Sequence, residues 1–177
     1  MQKKIEDFLK NQGYTYAVIE PENIIYREEF AAKCRMNYCG RYQKSWSCPP
    51  AIGDIEAIKK RANDFPTAIL FQKVFPLEDI YDVEGMDAGR KIIMTDTLTL
   101  QDDLKKGNAP FFMLAAGSCS LCKECTYPDR PCRFPERMLI SMEALGIDVA
   151  ELARRYQLKY YNGPATVTYF AIVFFGE

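Results

Sequence analysis

The chain has 177 residues, of which 48% are hydrophobic and 27% charged, a composition typical of a globular domain with a hydrophobic core. Its formal net charge of −1 gives no overall basic field, so we expect no nucleic-acid binding. No apolar run approaches the roughly 18 residues of a membrane span, and residues 1–7 lack a signal-peptide core. We therefore expect a cytoplasmic protein without a membrane segment.

The presence of seven cysteines and the absence of histidine restrict the chemistry. The number of cysteines is odd and too small for a disulfide scaffold, and clustered thiols in the cytosol more often bind metal or do redox chemistry. Without histidine, the chain has neither the usual base near neutral pH nor the imidazole ligand of mixed zinc sites. A bound metal must be held mainly by thiolates, which favours iron–sulfur clusters, zinc or copper(I).

The start of the chain predicts a helix and a strand. Apolar residues at helical spacing indicate a helix over residues 3–12, which Gly13 ends. Residues 15–20 predict a strand that Pro21 breaks, and residues 24–26 predict a short extended segment.

Helical and strand periodicity both disappear over residues 30–50, which predicts a loop. This stretch has no acidic residue. It contains three cysteines and four basic residues, namely Cys34, Cys39 and Cys48 with Lys33, Arg35, Arg41 and Lys44.

The middle of the chain predicts alternating helices and strands. Asp54 can cap a helix that Pro66 ends. The predicted elements that follow are a buried strand over 67–75, a polar turn over 76–85, a helix over 87–106 and a short strand over 110–116.

The last part of the chain predicts two helices and a strand. Pro135 suits the first turn of a helix that Gly146 ends, and Met138, Met142 and Leu145 would form its apolar face. On this helix Glu143 is interpreted as solvated, with a role as general base as the alternative. A capping box of Asp148 and Glu151 begins the next helix, and residues 165–175 predict a central strand.

These elements predict one domain over residues 1–177 with an α+β or α/β fold. We expect a mixed sheet of about four to five strands with packed helices and with two cysteine-rich loops together at one end. Both loops would connect a strand to a helix, whose free N–H groups suit an anionic cluster.

The strongest motif is C-x2-C-x2-C-x6-C, formed by Cys119, Cys122, Cys125 and Cys132. Its first three cysteines match ferredoxin spacing, and only its last gap is longer. The motif predicts a [4Fe–4S] cluster, whose negative charge Lys123 and Arg133 would offset. Zinc is the alternative, although structural zinc sites usually use two separated C-x2-C pairs.

The three cysteines of the predicted loop over 30–50 allow three explanations. They hold a second cluster with one iron open or bound by a non-cysteine group; or the two sets exchange a ligand, with Cys132 or Cys48 crossing over; or they are ordinary buried thiols. Cys48-Pro49 is similar to the Cys-Pro that closes a ferredoxin site.

The basic residues of the same loop also have more than one interpretation. They neutralise a cluster, hold an anionic substrate group, or form a docking patch for an acidic redox partner. The residues in question are Arg35, Arg41 and Lys44. Nearby aromatic residues are expected to shield a cluster from water, namely Tyr38, Tyr42, Trp46 and Tyr127.

Taken together, several short sequence blocks of the chain resemble those of the prokaryotic family of predicted metal-binding proteins, a cysteine-rich domain of unknown function. The resemblance rests on Cys34, Cys39 and Cys48-Pro49-Pro50 and on four further blocks, GSCSLCKEC over 117–125, PCRFP over 131–135, SMEA over 141–144 and GIDV over 146–149. It implies metal binding through the cysteines and an occurrence mainly in anaerobic bacteria and archaea. It implies no particular reaction.

Three functions follow as hypotheses. The first is an iron–sulfur protein that carries electrons to or from a redox partner protein. The second is an enzyme in which a three-cysteine cluster uses an open iron as a Lewis acid for a small-molecule substrate. The third is a zinc-binding structural or interaction module.

Overall fold

The computed structural model describes residues 1–176, and its centre is a five-stranded mixed sheet. The strands are β1 (Thr15–Ile19), β2 (Thr67–Pro76), β3 (Phe111–Ala115), β4 (Ile140–Ser141) and β5 (Thr166–Phe175). Their order in the sheet is β1-β2-β5-β3-β4. All neighbours are antiparallel except β3 and β4, which are parallel. The predicted α+β fold and the central position of the last strand are confirmed.

Five α-helices accompany the sheet within residues 1–176. They are α1 (Gln2–Asn11), α2 (Glu28–Lys33), α3 (Ile55–Asn63), α4 (Val83–Leu104) and α5 (Val149–Arg155). Four short 3-10 turns lie between these elements, at Pro21–Asn23, Cys34–Met36, Pro135–Arg137 and Glu143–Leu145. No helix in the described part of the chain is both long enough and apolar enough to cross a membrane.

Both faces of the sheet are covered, because side chains along a strand alternate between them. On β2, Leu70 points to the face that α3 and α5 cover, whereas Ile69 and Phe71 point to the face that α1 and α4 cover. β5 divides in the same way, with Ile172 on the first face and Val173 on the second. The nearly continuous apolar character of these two strands is therefore explained by burial on both sides.

Three predicted helix ends are confirmed by their hydrogen bonds. Asp54 Oδ1 accepts from Glu56 N at 2.9 Å, which caps α3. Asp148 Oδ1 accepts from Glu151 N at 3.0 Å, which caps α5. Gly13 adopts a positive φ of 72° after α1, a backbone conformation that glycine tolerates best.

The predicted helix that starts at Pro135 is wrong. A 3-10 turn at Pro135–Arg137 is followed by the two-residue strand β4 and by a second 3-10 turn at Glu143–Leu145. Residues 140–141 pair with the edge of β3, and this tertiary pairing overrides the helical spacing of the apolar residues. Met142 is buried, as expected, but not on a helix.

Two further boundaries differ from the sequence prediction. Helix α2 occupies the start of the predicted loop over 30–50, and Glu28 and Glu29 in its first turn stabilise it. The first cysteine-rich loop therefore connects two helices, and the second connects β3 to the 3-10 turn at Pro135–Arg137, so the predicted strand-to-helix connection is wrong for both. Helix α4 begins at Val83 within the predicted turn, because Asp82 Oδ1 accepts from Gly85 N at 2.8 Å.

Candidate metal centre

Two cysteine-rich segments, here called the first loop (residues 34–54) and the second loop (residues 117–134), contact each other directly. Trp46 Nε1 donates to Arg130 O at 3.1 Å, and the Trp46 ring packs edge-on against Tyr127 with centroids 4.9 Å apart. The backbone N–H of Cys119 donates to Ser47 Oγ at 2.9 Å. Each loop therefore fixes the position of the other.

All four cysteines of the C-x2-C-x2-C-x6-C motif line one cavity of about 390 Å³. These are Cys119, Cys122, Cys125 and Cys132. The first loop supplies part of the opposite wall through Arg41, Ser45, Trp46 and Ser47. Residues as far apart in the chain as Arg41 and Cys132 thus face the same space, beside the carboxyl end of β3.

The thiols of this cavity differ in their electrostatic surroundings. Burial raises the pKa of Cys119, and the nearby Cys132 and Cys122 thiols add to the increase. Burial acts in the same direction on Cys125, but the nearby backbone N–H groups of Tyr127 and Trp46 and the Ser45 hydroxyl outweigh it and lower its pKa. Such groups near sulfur stabilise a thiolate, the form that binds metal.

Basic side chains surround the same cavity. Of the predicted charge-compensating residues, Arg41, Lys123 and Arg133 line it, whereas the exposed Arg35 and Lys44 are not among its lining residues. Two cations from α4, Arg90 and Lys91, also line it, and both form ion pairs with Asp87, which lines it as well. Their position was not predicted, because no local pattern relates a charged helix face to a loop about 30 residues away.

The three cysteines of the first loop form a separate group. Cys34 follows α2, and its thiol donates to Glu143 O at 3.8 Å. Cys48 is buried and Cys39 is exposed. Burial raises the pKa of Cys34, and the charges of Cys39, Cys48 and Glu143 raise it further, so these four groups are electrostatic neighbours.

A second cavity, of about 590 Å³, adjoins this group. Cys34, Cys39 and Glu143 lie on its wall with Lys33. The remainder is largely apolar and is supplied by α2, α5, β5 and the segments beside them, with Phe30, Met142, Ile147, Tyr160, Tyr169 and Phe170 among the lining residues.

A chain of buried hydroxyl groups connects the two cysteine groups. Ser45 Oγ lies 3.0 Å from Ser47 Oγ, which lies 3.9 Å from Cys48 Sγ and 3.5 Å from Ser118 Oγ. Ser45, Ser47 and Ser118 are 3%, 0% and 9% exposed. Sequence reasoning missed Ser45 and Ser47, although hydroxyls next to a cysteine are a signal in the pattern Ser45-Trp46-Ser47-Cys48.

Within residues 1–176, no three or more histidine, cysteine, aspartate or glutamate side chains are arranged to hold a metal ion as they stand. The cysteines of each group lie near one another, but their sulfur atoms are not arranged as a complete set of metal ligands.

Comparison with known proteins places this arrangement in a family. The model of a family described as "Predicted metal-binding protein (DUF2284)" matches residues 17–175, from β1 to the end of β5, and this range includes every cysteine. No curated protein and no solved structure matches the chain. The match covers most of the sequence, and the chain therefore belongs to this family of predicted metal-binding proteins.

Proposed function

We propose that the protein is an iron–sulfur protein that binds a [4Fe–4S] cluster through Cys119, Cys122, Cys125 and Cys132 and acts in electron transfer. The observation that carries the proposal is that these four thiols line one cavity while basic side chains surround it. Four thiolates are the usual protein ligands of such a cluster. When bound, the cluster would supply one-electron redox chemistry to a redox partner protein.

The residues of the cavity fit this cofactor in two further respects. A four-thiolate cluster is anionic, and Arg41, Arg90, Lys123 and Arg133 offset negative charge there. The polar groups of Tyr127, Trp46 and Ser45 lie near the Cys125 sulfur and lower its pKa, and polar groups next to sulfur are one of the levers that set cluster potential. Zinc held by the same cysteines, in a structural or interaction module, is the alternative that metal analysis must distinguish.

The cysteines of the first loop form the proposed second site. Cys34 is influenced by Cys39, Cys48 and Glu143, and Cys48 by Cys39 and Glu143, whereas the thiol neighbours of Cys119 are Cys122 and Cys132. This grouping supports two separate sites.

A second candidate function is an enzyme that uses the three-cysteine site. The specific observation in its favour is the largely apolar cavity of about 590 Å³ beside Cys34 and Cys39, which has the size and character of a small-molecule pocket. If a small molecule binds at an open metal there, added cyanide should change the absorption spectrum of that site and leave the other unchanged.

The direct test of the proposed function is the content of iron, sulfide and zinc in protein purified without oxygen, with EPR spectra after reduction. About eight irons per chain would correspond to two clusters and about four to one. Stoichiometric zinc without iron or sulfide would overturn the iron–sulfur proposal.

Substitution tests the proposed ligands. We expect Cys122→Ala to lose the metal of the second loop and to lower the melting temperature, because bound metal contributes to folding free energy. Asp129→Ala changes an exposed residue of the same loop and is the matched control. Unchanged iron content and melting temperature in Cys122→Ala would count against the assignment.

A further inference from the structure

Glu143 lies between the two loops and contacts both. Its carboxylate oxygen Oε2 accepts from Ser141 Oγ at 2.7 Å and from Gly117 N at 3.1 Å, at the start of the second loop. Its carbonyl oxygen accepts from the Cys34 thiol at 3.8 Å. The 3-10 turn at Glu143–Leu145 thus holds a carboxylate in a defined place beside the cysteines of the first loop.

The carboxylate has an oxygen available for a further ligand. Among the described residues no hydrogen bond ends on Oε1 of Glu143. None of the ion pairs found in residues 1–176 includes this residue. Glu143 and two of the three thiols, Cys34 and Cys39, line the same cavity, and the third, Cys48, is within electrostatic range of both Cys39 and Glu143.

Two thiols and one carboxylate therefore share this wall, where Cys34 is partly buried and Cys39 and Glu143 are exposed. Thiolates and carboxylates are both ligands that proteins use for metal ions. Lys33 is the basic residue on the cavity wall, but its ammonium lies over the Phe30 ring, 4.8 Å from the centroid. A bound metal ion would balance the charge of thiolate and carboxylate ligands at this wall.

We propose that Glu143 is the fourth protein ligand of a second metal centre that Cys34, Cys39 and Cys48 also hold. Three thiolates with one carboxylate suit an iron–sulfur cluster or a single iron or zinc ion. This inference rests on the proposed metal-binding function but adds a ligand outside the cysteine motifs. It assigns the non-cysteine position to a residue that the sequence pattern placed on a solvated helix face.

The competing role for Glu143 is that of an anchor, in which its carboxylate only ties Ser141 to Gly117. Glutamine separates the two roles, because its side-chain oxygen still accepts both hydrogen bonds but binds metal weakly. We therefore compare Glu143→Gln with Cys34→Ser and with Glu29→Gln. Glu29 is an exposed carboxylate on α2, close in sequence to Cys34, so its substitution is a charge-matched control.

The experiment measures iron, sulfide and zinc per chain in the full-length protein prepared without oxygen, together with EPR and absorption spectra. We expect Glu143→Gln and Cys34→Ser to lose the same share of metal, the double variant to lose no more, and Glu29→Gln to lose none. Removal of a ligand should weaken metal binding at this centre by about tenfold or more. Sulfide lost together with iron indicates a cluster, and metal lost without sulfide indicates a single ion.

Full metal content and an unchanged spectrum in Glu143→Gln, when Cys34→Ser has lost its share, would overturn the inference and leave Glu143 as an anchor. No loss in Cys34→Ser would overturn the second centre itself. If Glu143→Gln does not fold, Glu143→Cys decides: retained metal with an altered spectrum supports ligation at this position, and lost metal opposes it. If instead the proposed [4Fe–4S] site of the second loop is wrong, Cys122→Ala should keep all of its metal, which is a different result.

Discussion

At the scale of single residues, Asp148 performs two tasks that its position makes possible. One carboxylate oxygen caps α5, and the other accepts from Arg27 Nε at 2.5 Å. Burial alone would raise the pKa of Asp148, but the bonds from Arg27 and from the N–H of Glu151 outweigh it and lower the pKa below its ordinary value. This residue joins α5 to the segment that leads into α2 and Cys34.

The lowered pKa gives a prediction with a definite sign. The stabilising contribution of Asp148 is fully present above its ordinary pKa near 3.8 and disappears as the pH falls through the lower pKa of the folded state. Asp148→Asn keeps a capping side chain but removes the charge. We expect its free energy of unfolding at pH 7 to be about 1–3 kcal/mol lower than that of the wild type. The difference from wild type should shrink as the pH falls below 3.8 and through the lower pKa of the folded state.

Denaturant unfolding from pH 2.5 to 7 measures this difference. Asp129→Asn, at an exposed position in the second loop, is the control and should follow the wild type at every pH. A penalty for Asp148→Asn that persists undiminished at the acid end would show that the charge is not its cause.

At the scale of elements, the strands were predictable and the segment before α5 was not. β2, β3 and β5 appear in the sequence as apolar runs, because both faces of the sheet are covered. The segment over 135–145 carries apolar residues at helical spacing, but it becomes two 3-10 turns around β4. Its conformation depends on the edge of β3, a partner about 25 residues away that local spacing does not reveal.

Gly146 ends this segment and fixes the position of Glu143. Its φ is +74°, and a Cβ built on it would lie 2.4 Å from Arg27 O. The unfavourable φ of alanine at this position alone should lower the free energy of unfolding by about 1–2 kcal/mol. Because the Cβ of Gly146→Ala must also push the backbone away, we expect a further loss of at least about 2–3 kcal/mol. The proposed metal centre of the first loop should lose metal as well.

Gly13→Ala is the matched control, because Gly13 has a φ of +72° and nothing within 4 Å of a built Cβ. Thermal or denaturant unfolding of both variants separates the cost of the contact from the cost of the conformation. Equal losses of stability in the two variants would contradict the role assigned to the close approach to Arg27.

At the scale of the whole molecule, the core and the candidate centre are built from different parts of the chain. The buried side chains that pack the sheet come from the strands and helices, whereas the first and second loops contain few residues in regular structure. The loops depend on hydrogen bonds such as Trp46 to Arg130 and Cys119 to Ser47. We infer that metal stabilises the loops more than it stabilises the sheet.

Metal removal tests this division. A strong chelator under reducing, oxygen-free conditions should lower the melting temperature by roughly 6–12 °C, which corresponds to about 3 kcal/mol for a protein of this size. The far-ultraviolet circular dichroism at 20–25 °C should change little, because the sheet persists. Complete loss of the folded spectrum on chelation would show that the metal is needed for the core as well.

The sequence predicted the candidate site only in part. The cysteines are visible because their spacing is local, and Arg41, Lys123 and Arg133 because they lie near them. Arg90 and Glu143 come to the cysteines through the packing of α4, β3 and β4, and no short pattern contains that information. The sequence therefore identified the class of chemistry, while the surroundings that adjust it became apparent only from the fold.

The buried hydroxyl chain has a consequence for how the protein matures. Ser47 Oγ accepts from Cys119 N and lies next to Cys48 Sγ, so its orientation is set from both loops at once. Whichever centre is filled first would hold Ser47 in place and thereby prepare the other loop for its own metal. If both proposed centres form, metal bound at one would favour binding at the other, although each could still be filled alone.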